Sequence, residues 1–314
     1  EMRLVTGVQT CALPILIISY NSENHIIEAL ESAKTQGYKR LELIISDDSS
    51  TDLTIEKTEN WLLENKERFI NTKLIKSNHN TGITPNLNKG VHATTGEFLK
   101  LIAADDVLLD NCIEDLLDYV QKKSISFCFS KVLPFSDSKN TEYIEGIVKA
   151  DKKNYDVFFN QSQKEQYHNL LRLNIPLSII IGGFYSNDIL KEIGYFDETY
   201  EMMDDYPTMI NLAKLGYHFK LLDKYTSKYR VRDIVDVEGF KKSRRFIAHY
   251  HNLHNFRRNE IIPLMKKENM YFSILYLKVV MVLLNIEFKT SNKMLNSIMI
   301  RLRAFKNKSM KVSS

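Results

Sequence analysis

The chain has 314 residues, of which 44% are hydrophobic and 26% are charged. This apolar content excludes a disordered chain, and the 11 glycines and 6 prolines exclude a collagen-like or low-complexity one. Three widely separated cysteines exclude a disulfide framework and a cysteine-rich zinc site, and they are typical of a reducing compartment.

Charge divides the chain into two parts. Residues 288–314 contain seven basic side chains and no acidic one, so this segment carries +7 and the preceding residues together carry −3. A slightly acidic body excludes nucleic acid as the partner of the whole protein. The basic segment, in contrast, is typical of a surface that binds anions.

The first residues do not fit the element that follows them. Residues 1–15 lack a basic segment followed by a long apolar run, so they do not form a signal peptide. The run V-T-G-V-Q-T-C-A-L-P-I at 5–15 resembles translated sequencing adapter. We therefore interpret residues 1–14 as a non-native segment.

Strands and helices alternate from residue 15 onward. Apolar runs predict strands at 15–19, 41–46, 72–76 and 98–103. Helical patterns follow each of them, at 23–36, up to about 66, up to about 91 and at 112–121. This order predicts an α/β fold with a mainly parallel sheet and helices on both faces.

Polar residues follow three of these strands at their carboxyl ends, where parallel sheets bind ligands. These residues are Tyr20-Asn21, Asp47-Asp48 and Asp105-Asp106. A purely structural placement would not require polar clusters at every one of these ends. We therefore expect them to form one binding site.

This site has no glycine-rich loop to bind phosphate. The residues after the first strand, S-Y-N-S-E-N-H at 19–25, contain no G-x-G-x-x-G, and the chain contains no G-x-x-x-x-G-K-[ST]. A diphosphate would then need another positive group, and a divalent cation held by one or two carboxylates is the usual one. Asp105 and Asp106 are the candidates, although Asp pairs also form turns and helix caps.

Five motifs in a fixed order resemble the family 2 glycosyltransferases. They are I-I-S-Y-N (17–21), D-D-S-S-T-D (47–52), N-T-G with N-K-G (80–90), T-G-E-F-L-K-L-I-A-A-D-D (95–106) and D-D-Y-P (204–207). The resemblance covers about residues 15–235. It implies a GT-A type fold and an inverting transfer of a sugar from a nucleotide-sugar donor to a hydroxyl group. It also implies a role in making bacterial cell-surface polysaccharide or glycolipid.

The resemblance assigns a donor site and a metal to particular residues. The donor would be a nucleotide-diphosphate sugar, most simply a UDP-sugar, and the metal would be Mn²⁺ or Mg²⁺ on Asp105 and Asp106. The implied donor contacts are Tyr20 and Asn21 along the nucleotide, Asp47 or Asp48 at a uracil-type base or its ribose, and Asn80 and Gly82 in the loop beside the ribose and diphosphate.

One position departs from the family pattern. Residues 103–105 correspond to the D-x-D motif, but Ala103 stands where its first Asp is expected. The metal would then rest mainly on Asp105, and metal affinity or donor choice would differ from the family. Ala103 also supports an alternative, a catalytically impaired relative that binds nucleotide sugars without transferring them.

The D-D-Y-P motif supplies the general base that the resemblance implies. Inversion by direct displacement requires a carboxylate that deprotonates the acceptor hydroxyl, and we assign this role to Asp205, with Asp204 as the second candidate. An N-cap of the following helix is the structural alternative. The segment Y-R-V-R at 229–232 resembles Tyr-Arg-x-His, so Arg230 and Arg232 are candidates to neutralise the diphosphate.

The nucleotidyltransferases are a different class of enzyme that also uses such a sheet. A nucleotidyltransferase on a similar sheet would carry a glycine-rich loop and a lysine after the first strand, and both are absent from the sequence.

Residues 122–175 show weak periodicity, and we interpret them as an acceptor-facing insertion.

The C-terminal part is predicted to be helical. We divide the chain into a non-native segment (1–14), a glycosyltransferase domain (15–235) and a helical region with a basic tail (236–314). Residues 270–286 are mostly apolar but are too short, and carry a central lysine, for a spanning helix. They form either a core helix or an interfacial one. In the interfacial case, residues 270–314 would contact anionic lipid and hold a cytoplasmic protein peripherally at the inner face of the membrane. The expected acceptor there is a glycan or a lipid-linked one.

Overall fold

The computed structural model describes residues 12–137, 141–172, 181–200, 203–231 and 244–290. The chain forms two compact units, of which the first ends at Asn252 and the second begins at Leu253. The predicted domain boundary at residue 235 falls in the stretch 232–243, which lies outside the described residues.

A mixed sheet lies at the centre of the first unit, and the described residues contribute eight strands to it. In chain order they are β1 (Leu13–Ser19), β2 (Leu41–Asp47), β3 (Asn71–Lys76), β4 (Phe98–Ala103), β5 (Val107–Leu108), β6 (Phe127–Phe135), β7 (Phe184–Ser186) and β8 (Leu221–Arg230). Across the sheet the order is β3-β2-β1-β4-β7-β6-β8-β5. Strands β3, β2, β1 and β4 run parallel, whereas β7 is antiparallel to both of its neighbours, β4 and β6.

Helices connect these strands and continue beyond them. They are α1 (Ile26–Lys34), α2 (Thr54–Asn65), α3 (Ile83–His92), α4 (Cys112–Lys123), α5 (Thr141–Phe159), α6 (Gln163–Leu171), α7 (Asn187–Glu192), α8 (Asp205–Lys214), α9 (Arg244–Phe256), α10 (Ile262–Lys267) and α11 (Tyr271–Thr290).

Helices on both faces explain why the central strands are apolar without alternation. Ile15 and Ile17 of β1 belong to one buried cluster with Leu30 of α1. The next residue, Leu16, points to the opposite face, where a Cβ added to Gly90 of α3 would lie 2.4 Å from its side chain. Glycine at position 90 therefore lets α3 approach β1 closely.

The predicted α/β architecture is confirmed, and the four predicted strands are present. Two details differ. The sheet is parallel only in its N-terminal half and at the β6–β8 pair, because β7 is inserted antiparallel beside β4. Strand β1 also begins at Leu13, so Leu13 and Pro14, which we assigned to the non-native segment, pair with Leu41 and Glu42 of β2. Residues 1–11 lie outside the described part of the chain.

The region 122–175, which we interpreted as an acceptor-facing insertion, contains regular elements in its described residues. It contains β6, which lies inside the sheet between β7 and β8, followed by α5 and α6. The pattern of β6, F-C-F-S-K-V-L-P-F, hid the strand because Ser130, Lys131 and Pro134 interrupt the apolar run. Irregular pairing with β8 near Lys131 accommodates this interruption.

The second unit is helical. A π-helical turn, Arg257–Ile261, leads into α10, whose first turn contains a proline. Helix α10 packs against α11. No helix in the described part of the chain is both long enough and apolar enough to cross a membrane.

Candidate active site

The carboxyl ends of β1, β2 and β4 meet at one edge of the sheet, because these strands are parallel neighbours. The loops that leave this edge contain the three predicted polar clusters. Backbone hydrogen bonds join the loops directly, from Asp48 N to the Ser19 carbonyl and from Ala104 N to the Ile18 carbonyl, each 2.9 Å long. The structure therefore brings the three clusters together, as the sequence predicted.

Asp47 ties the first two of these loops. Its carboxylate is buried and accepts hydrogen bonds from the Ser19 hydroxyl at 2.7 Å, the Ser50 hydroxyl at 2.6 Å and the Ser50 amide at 2.7 Å. These three donors come from the end of β1 and the turn after β2. Asp47 thus fixes the shape of the edge on which a ligand would rest.

Asp48 does the same for the loop before α3. Its buried carboxylate accepts hydrogen bonds from the Thr81 amide at 2.9 Å, the Thr81 hydroxyl at 2.7 Å and the Gly82 amide at 2.7 Å. Gly82 has a φ of 93°, a left-handed conformation that favours glycine. The exposed Asn80 also accepts a 3.2 Å hydrogen bond from the Gly82 amide.

Tyr20 and Asn21 form the rim of this edge. Tyr20 is 47% exposed. Asn21 has a φ of 48°, its amide donates to the Ser50 hydroxyl, and its side-chain oxygen accepts from the Thr51 amide at 2.8 Å. Asn21 therefore holds the rim in place, and the phenol ring of Tyr20 is available to a ligand.

Asp105 and Asp106 form the turn that follows β4. The Asp106 side chain is buried, and its Oδ1 accepts a 2.9 Å hydrogen bond from the Arg230 amide. Its Oδ2 is buried and has no hydrogen-bond partner within the described residues. Burial, together with the charge of Asp105, raises the pKa of Asp106 to about 8.

Arg230 braces this turn. Its Nε donates to the Asp105 carbonyl at 2.9 Å, and its guanidinium pairs with Glu28 and Asp137. The guanidinium also lies over the Phe135 ring, 4.4 Å from its centroid. The structure thus commits Arg230 to protein partners around the Asp105 turn. Arg232, predicted beside it, lies outside the described residues.

A divalent cation fits the Asp105–Asp106 turn chemically. The described residues contain no group of three or more His, Cys, Asp or Glu side chains that could hold a metal. A catalytic Mg²⁺ or Mn²⁺ needs only one or two protein carboxylates when phosphate oxygens and waters supply the remaining ligands. The unpartnered Asp106 Oδ2 and the raised pKa of Asp106 describe a carboxyl group that a cation would ionise.

Asp204 and Asp205 stand at the start of α8. The Asp204 side chain makes no capping hydrogen bond, so the N-cap alternative is not supported by the geometry. Asp205 accepts a 2.8 Å hydrogen bond from the Tyr206 amide. Both side chains retain partial contact with solvent, although protein surrounds them on most sides.

This second acidic pair is electrostatically strained. Burial, followed by the charge of Asp205, raises the pKa of Asp204 to about 7. Burial also raises the pKa of Asp205, against the opposing effects of hydrogen bonds and of His249 on α9. The buried Tyr185 on β7 interacts with both carboxylates, and its pKa is raised by burial and by their charges. A carboxyl pair of this kind is able to take up a proton near neutral pH.

Lys100 on β4 is a buried charged residue that was not predicted from the sequence. Its side chain is fully buried, and its ammonium donates to the carbonyls of Ile181 and Gly183, the latter at 3.4 Å. Burial lowers the pKa of Lys100, and the charge of Asp106 opposes this shift. The available signal was a lysine in the middle of the apolar strand F-L-K-L-I-A.

The segment held by Lys100 depends on glycine. A Cβ added to Gly182 would lie 2.3 Å from the Ser130 carbonyl oxygen, and one added to Gly183 would lie 2.5 Å from the Tyr185 ring. The Gly182 carbonyl accepts hydrogen bonds from the Ser130 amide at 3.0 Å and its hydroxyl at 3.1 Å. These glycines are therefore required for packing between β6 and β7.

A separate surface cavity of about 390 Å³ lies beside α3 and contains none of the predicted site residues. Asn88 lines this cavity. Its side-chain nitrogen donates to the Phe196 carbonyl at 2.8 Å, and its side-chain oxygen accepts from the Phe196 amide at 3.1 Å. Its walls are thus part of the packing between α3 and the 193–198 loop.

Comparison with known families gives one match that covers more than half of the chain. The model of the family described as "Glycosyl transferase family 2" matches residues 15–194. This range contains four of the five motifs, and the D-D-Y-P motif lies beyond it.

Curated relatives carry related names. An uncharacterized glycosyltransferase of Haemophilus influenzae is 24% identical over 84% of this chain and 75% of its own length. The Escherichia coli protein named UDP-Glc:alpha-D-GlcNAc-diphosphoundecaprenol beta-1,3-glucosyltransferase is 29% identical over 73% of this chain and 81% of its own length.

Solved structures share the fold. A mannosyltransferase from Pyrobaculum calidifontis, in complex with GDP-Man and Mn²⁺, has a TM-score of 0.57 at 16% identity and covers 96% of this chain and 82% of its own. Staphylococcus aureus TarS, in complex with UDP-GlcNAc, has a TM-score of 0.53 at 20% identity and covers 78% of this chain and 67% of its own. The predicted GT-A type fold is confirmed.

Proposed function

Because the chain belongs to glycosyl transferase family 2 and is therefore a nucleotide-sugar-dependent glycosyltransferase, we propose that it transfers a sugar with inversion to a hydroxyl of a glycan or lipid-linked acceptor. The observation that carries this proposal is the Asp204–Asp205 pair at the start of α8, where burial raises the pKa of both carboxyls and brings that of Asp204 to about 7. An inverting transfer requires a base of this kind.

Asp205 is the general base in this proposal. Its carboxylate takes the proton of the acceptor hydroxyl while the acceptor oxygen bonds to the anomeric carbon. The bond from that carbon to the diphosphate breaks, and the nucleoside diphosphate leaves with the electron pair. The charge of Asp205 raises the pKa of Asp204, and the charges of both carboxylates raise the pKa of the buried Tyr185 on β7.

The donor rests on the loops that Asp47 and Asp48 organise. Their carboxylates already accept hydrogen bonds from Ser50 and Thr81, so in this proposal they shape the nucleotide site and meet the base or ribose with their remaining lone pairs. Tyr20 stacks along the nucleotide. A UDP-sugar is the donor we favour, because the Escherichia coli relative is named for UDP-Glc and TarS was solved with UDP-GlcNAc.

Asp105 and Asp106 hold Mn²⁺ or Mg²⁺ in this proposal. When bound, the cation supplies positive charge to the departing diphosphate. The chain's own contribution is to keep the turn rigid, since Arg230 fastens the Asp105 carbonyl and the Asp106 carboxylate. The loss of the first D-x-D carboxylate at Ala103 leaves these two acids as the ligands.

The relative named for a diphosphoundecaprenol acceptor supports an acceptor on lipid, and so a location at the inner face of the cell membrane.

Two variants test the assignment after a thermal-shift screen of nucleotide sugars, with and without Mn²⁺ or Mg²⁺, has identified the donor. Asp205→Asn should reduce transfer about 10²–10⁴-fold and leave donor affinity nearly unchanged. Asp105→Ala should remove the metal-dependent part of donor affinity. Retained turnover in the first variant, or unchanged metal dependence in the second, would contradict the respective role.

The same assay separates the alternative of a catalytically impaired relative. Such a protein would bind the donor without releasing nucleoside diphosphate on any lipid-linked or glycan acceptor. In that case Ala103→Asp, which restores the first carboxylate of D-x-D, should bring back turnover.

A further inference from the structure

Helix α11 has two apolar faces, and only one of them is covered. Ile274, Leu277 and Met281 are buried. The opposite side exposes large apolar side chains to between 40% and 65%: Tyr271, Phe272, Leu275, Val279 and Val282. An exposed apolar face of this extent on a helix marks an interaction surface.

The exposed residues form one continuous stripe. At 100° per residue their positions fall within an arc of roughly 100° on the helical wheel. Tyr271 and Phe272 are adjacent at its start, and from Phe272 onward successive members are spaced by three or four residues. The exposed Lys278 lies at one border of this arc. We call Tyr271, Phe272, Leu275, Val279 and Val282 the α11 stripe.

Basic residues lie on both sides of the stripe along the chain. Lys266 and Lys267 are exposed at the end of α10, immediately before α11. The sequence 288–314, which begins within the last turn of α11, carries +7. An apolar stripe between two basic segments is complementary to a surface that is apolar inside and negatively charged outside.

We infer that the α11 stripe enters the interfacial layer of an anionic phospholipid bilayer, with Lys266, Lys267 and Lys278 at its headgroups. The +7 charge of the sequence 288–314 favours such a negatively charged surface. The helix lies in the plane of the membrane, since α11 does not qualify as a spanning helix and an interfacial helix keeps its lysines at the headgroups. A second copy of the chain fits the stripe less well, because pairing two stripes would bring two +7 segments together.

Flotation of the full chain with lipid vesicles tests this inference without donor or acceptor, so its outcome is independent of the proposed transfer reaction. The probes are phosphatidylcholine vesicles with and without phosphatidylglycerol. The stripe variant is Leu275→Glu with Val282→Glu. The matched control is Leu63→Glu with Val157→Glu, which places the same substitutions on exposed positions of α2 and α5.

The wild-type chain and the control should float with phosphatidylglycerol vesicles and not with pure phosphatidylcholine. The stripe variant should bind at least about tenfold more weakly, because two apolar contacts are lost and two repelled charges are added. Equal binding of the stripe and control variants would overturn the inference. So would a wild-type dimer, measured by light scattering, that the stripe variant dissociates while its vesicle binding stays unchanged.

Discussion

The acidic pair at the start of α8 leads to a quantitative prediction for the pH dependence of transfer. Asp204 has its pKa raised from 3.8 to about 7, first by burial and then by the charge of Asp205. A shift of this size corresponds to on the order of 4 kcal/mol between the protonated and ionised forms. Burial also raises the pKa of Asp205, and the two carboxyls titrate as a pair, so transfer should be lost on acidification at a higher pH than an ordinary aspartate would cause.

Asp204→Asn separates the two causes of this shift. Burial of Asp205 remains, whereas the neighbouring carboxylate is removed, so the acid limb of the profile should move to lower pH. At pH 6 the variant should therefore retain a larger share of its own plateau activity than the wild-type enzyme does. Because Asp204 makes no capping hydrogen bond, the start of α8 should be unaffected.

The measurement is nucleoside diphosphate release at saturating donor and metal from pH 5 to 9, with each rate divided by that enzyme's own plateau. Asp118→Asn, on the exposed side of α4, is the control for removing an acidic charge elsewhere. An Asp204→Asn profile that overlays the wild-type one would refute the electrostatic coupling. A plateau at low pH in wild-type enzyme would refute the raised pKa of the base.

Two structural predictions concern the supports of the site. Arg230→Lys should lower the free energy of unfolding by about 1–3 kcal/mol, because one ammonium cannot replace a guanidinium that serves a carbonyl and two carboxylates; urea denaturation measures this, and exposed Arg258→Lys should change nothing. Gly182→Ala should cost about 2–3 kcal/mol or more, since its Cβ meets backbone that cannot rotate away. In contrast, Gly146→Ala at an exposed position of α5, where a Cβ meets nothing within 4 Å, should stabilise by about 0.5–1 kcal/mol in the same assay.

The strands of the first half could be predicted because their apolar runs are continuous and bounded by polar turns. Strand β4 matches its prediction residue for residue, at 98–103. Strand β6 could not be found, because its polar residues are satisfied by partners distant in sequence, such as the hydrogen bond between Ser130 and Thr226. Strand β7, with three residues, is too short for any periodicity.

The position of the candidate site was also predictable, but the partners of its residues were not. The carboxyl ends of parallel strands place Asp47, Asp48 and Asp105 at one edge whatever their side chains do. Whether each carboxylate faces a ligand or a loop depends on donors such as Ser50 and Thr81, whose approach is set by the packing of α3 and the loops. Arg230, expected to face a diphosphate, instead has protein partners for the same reason.

The acidic residues of this edge divide into two groups by what the chain provides for them. Asp47 and Asp48 accept three hydrogen bonds each from hydroxyl and amide groups, so their role as scaffolding is complete within the protein. Asp106, Asp204 and Asp205 are instead left with raised pKa values caused mainly by burial. A buried carboxyl group without enough hydrogen-bond donors or positive charges around it lowers the stability of the fold. Such groups are typical of functional sites, where they bind a cation or take up a proton. The first of them is suited to a cation and the other two to a proton, which are the two charges that a diphosphate-releasing transfer has to manage.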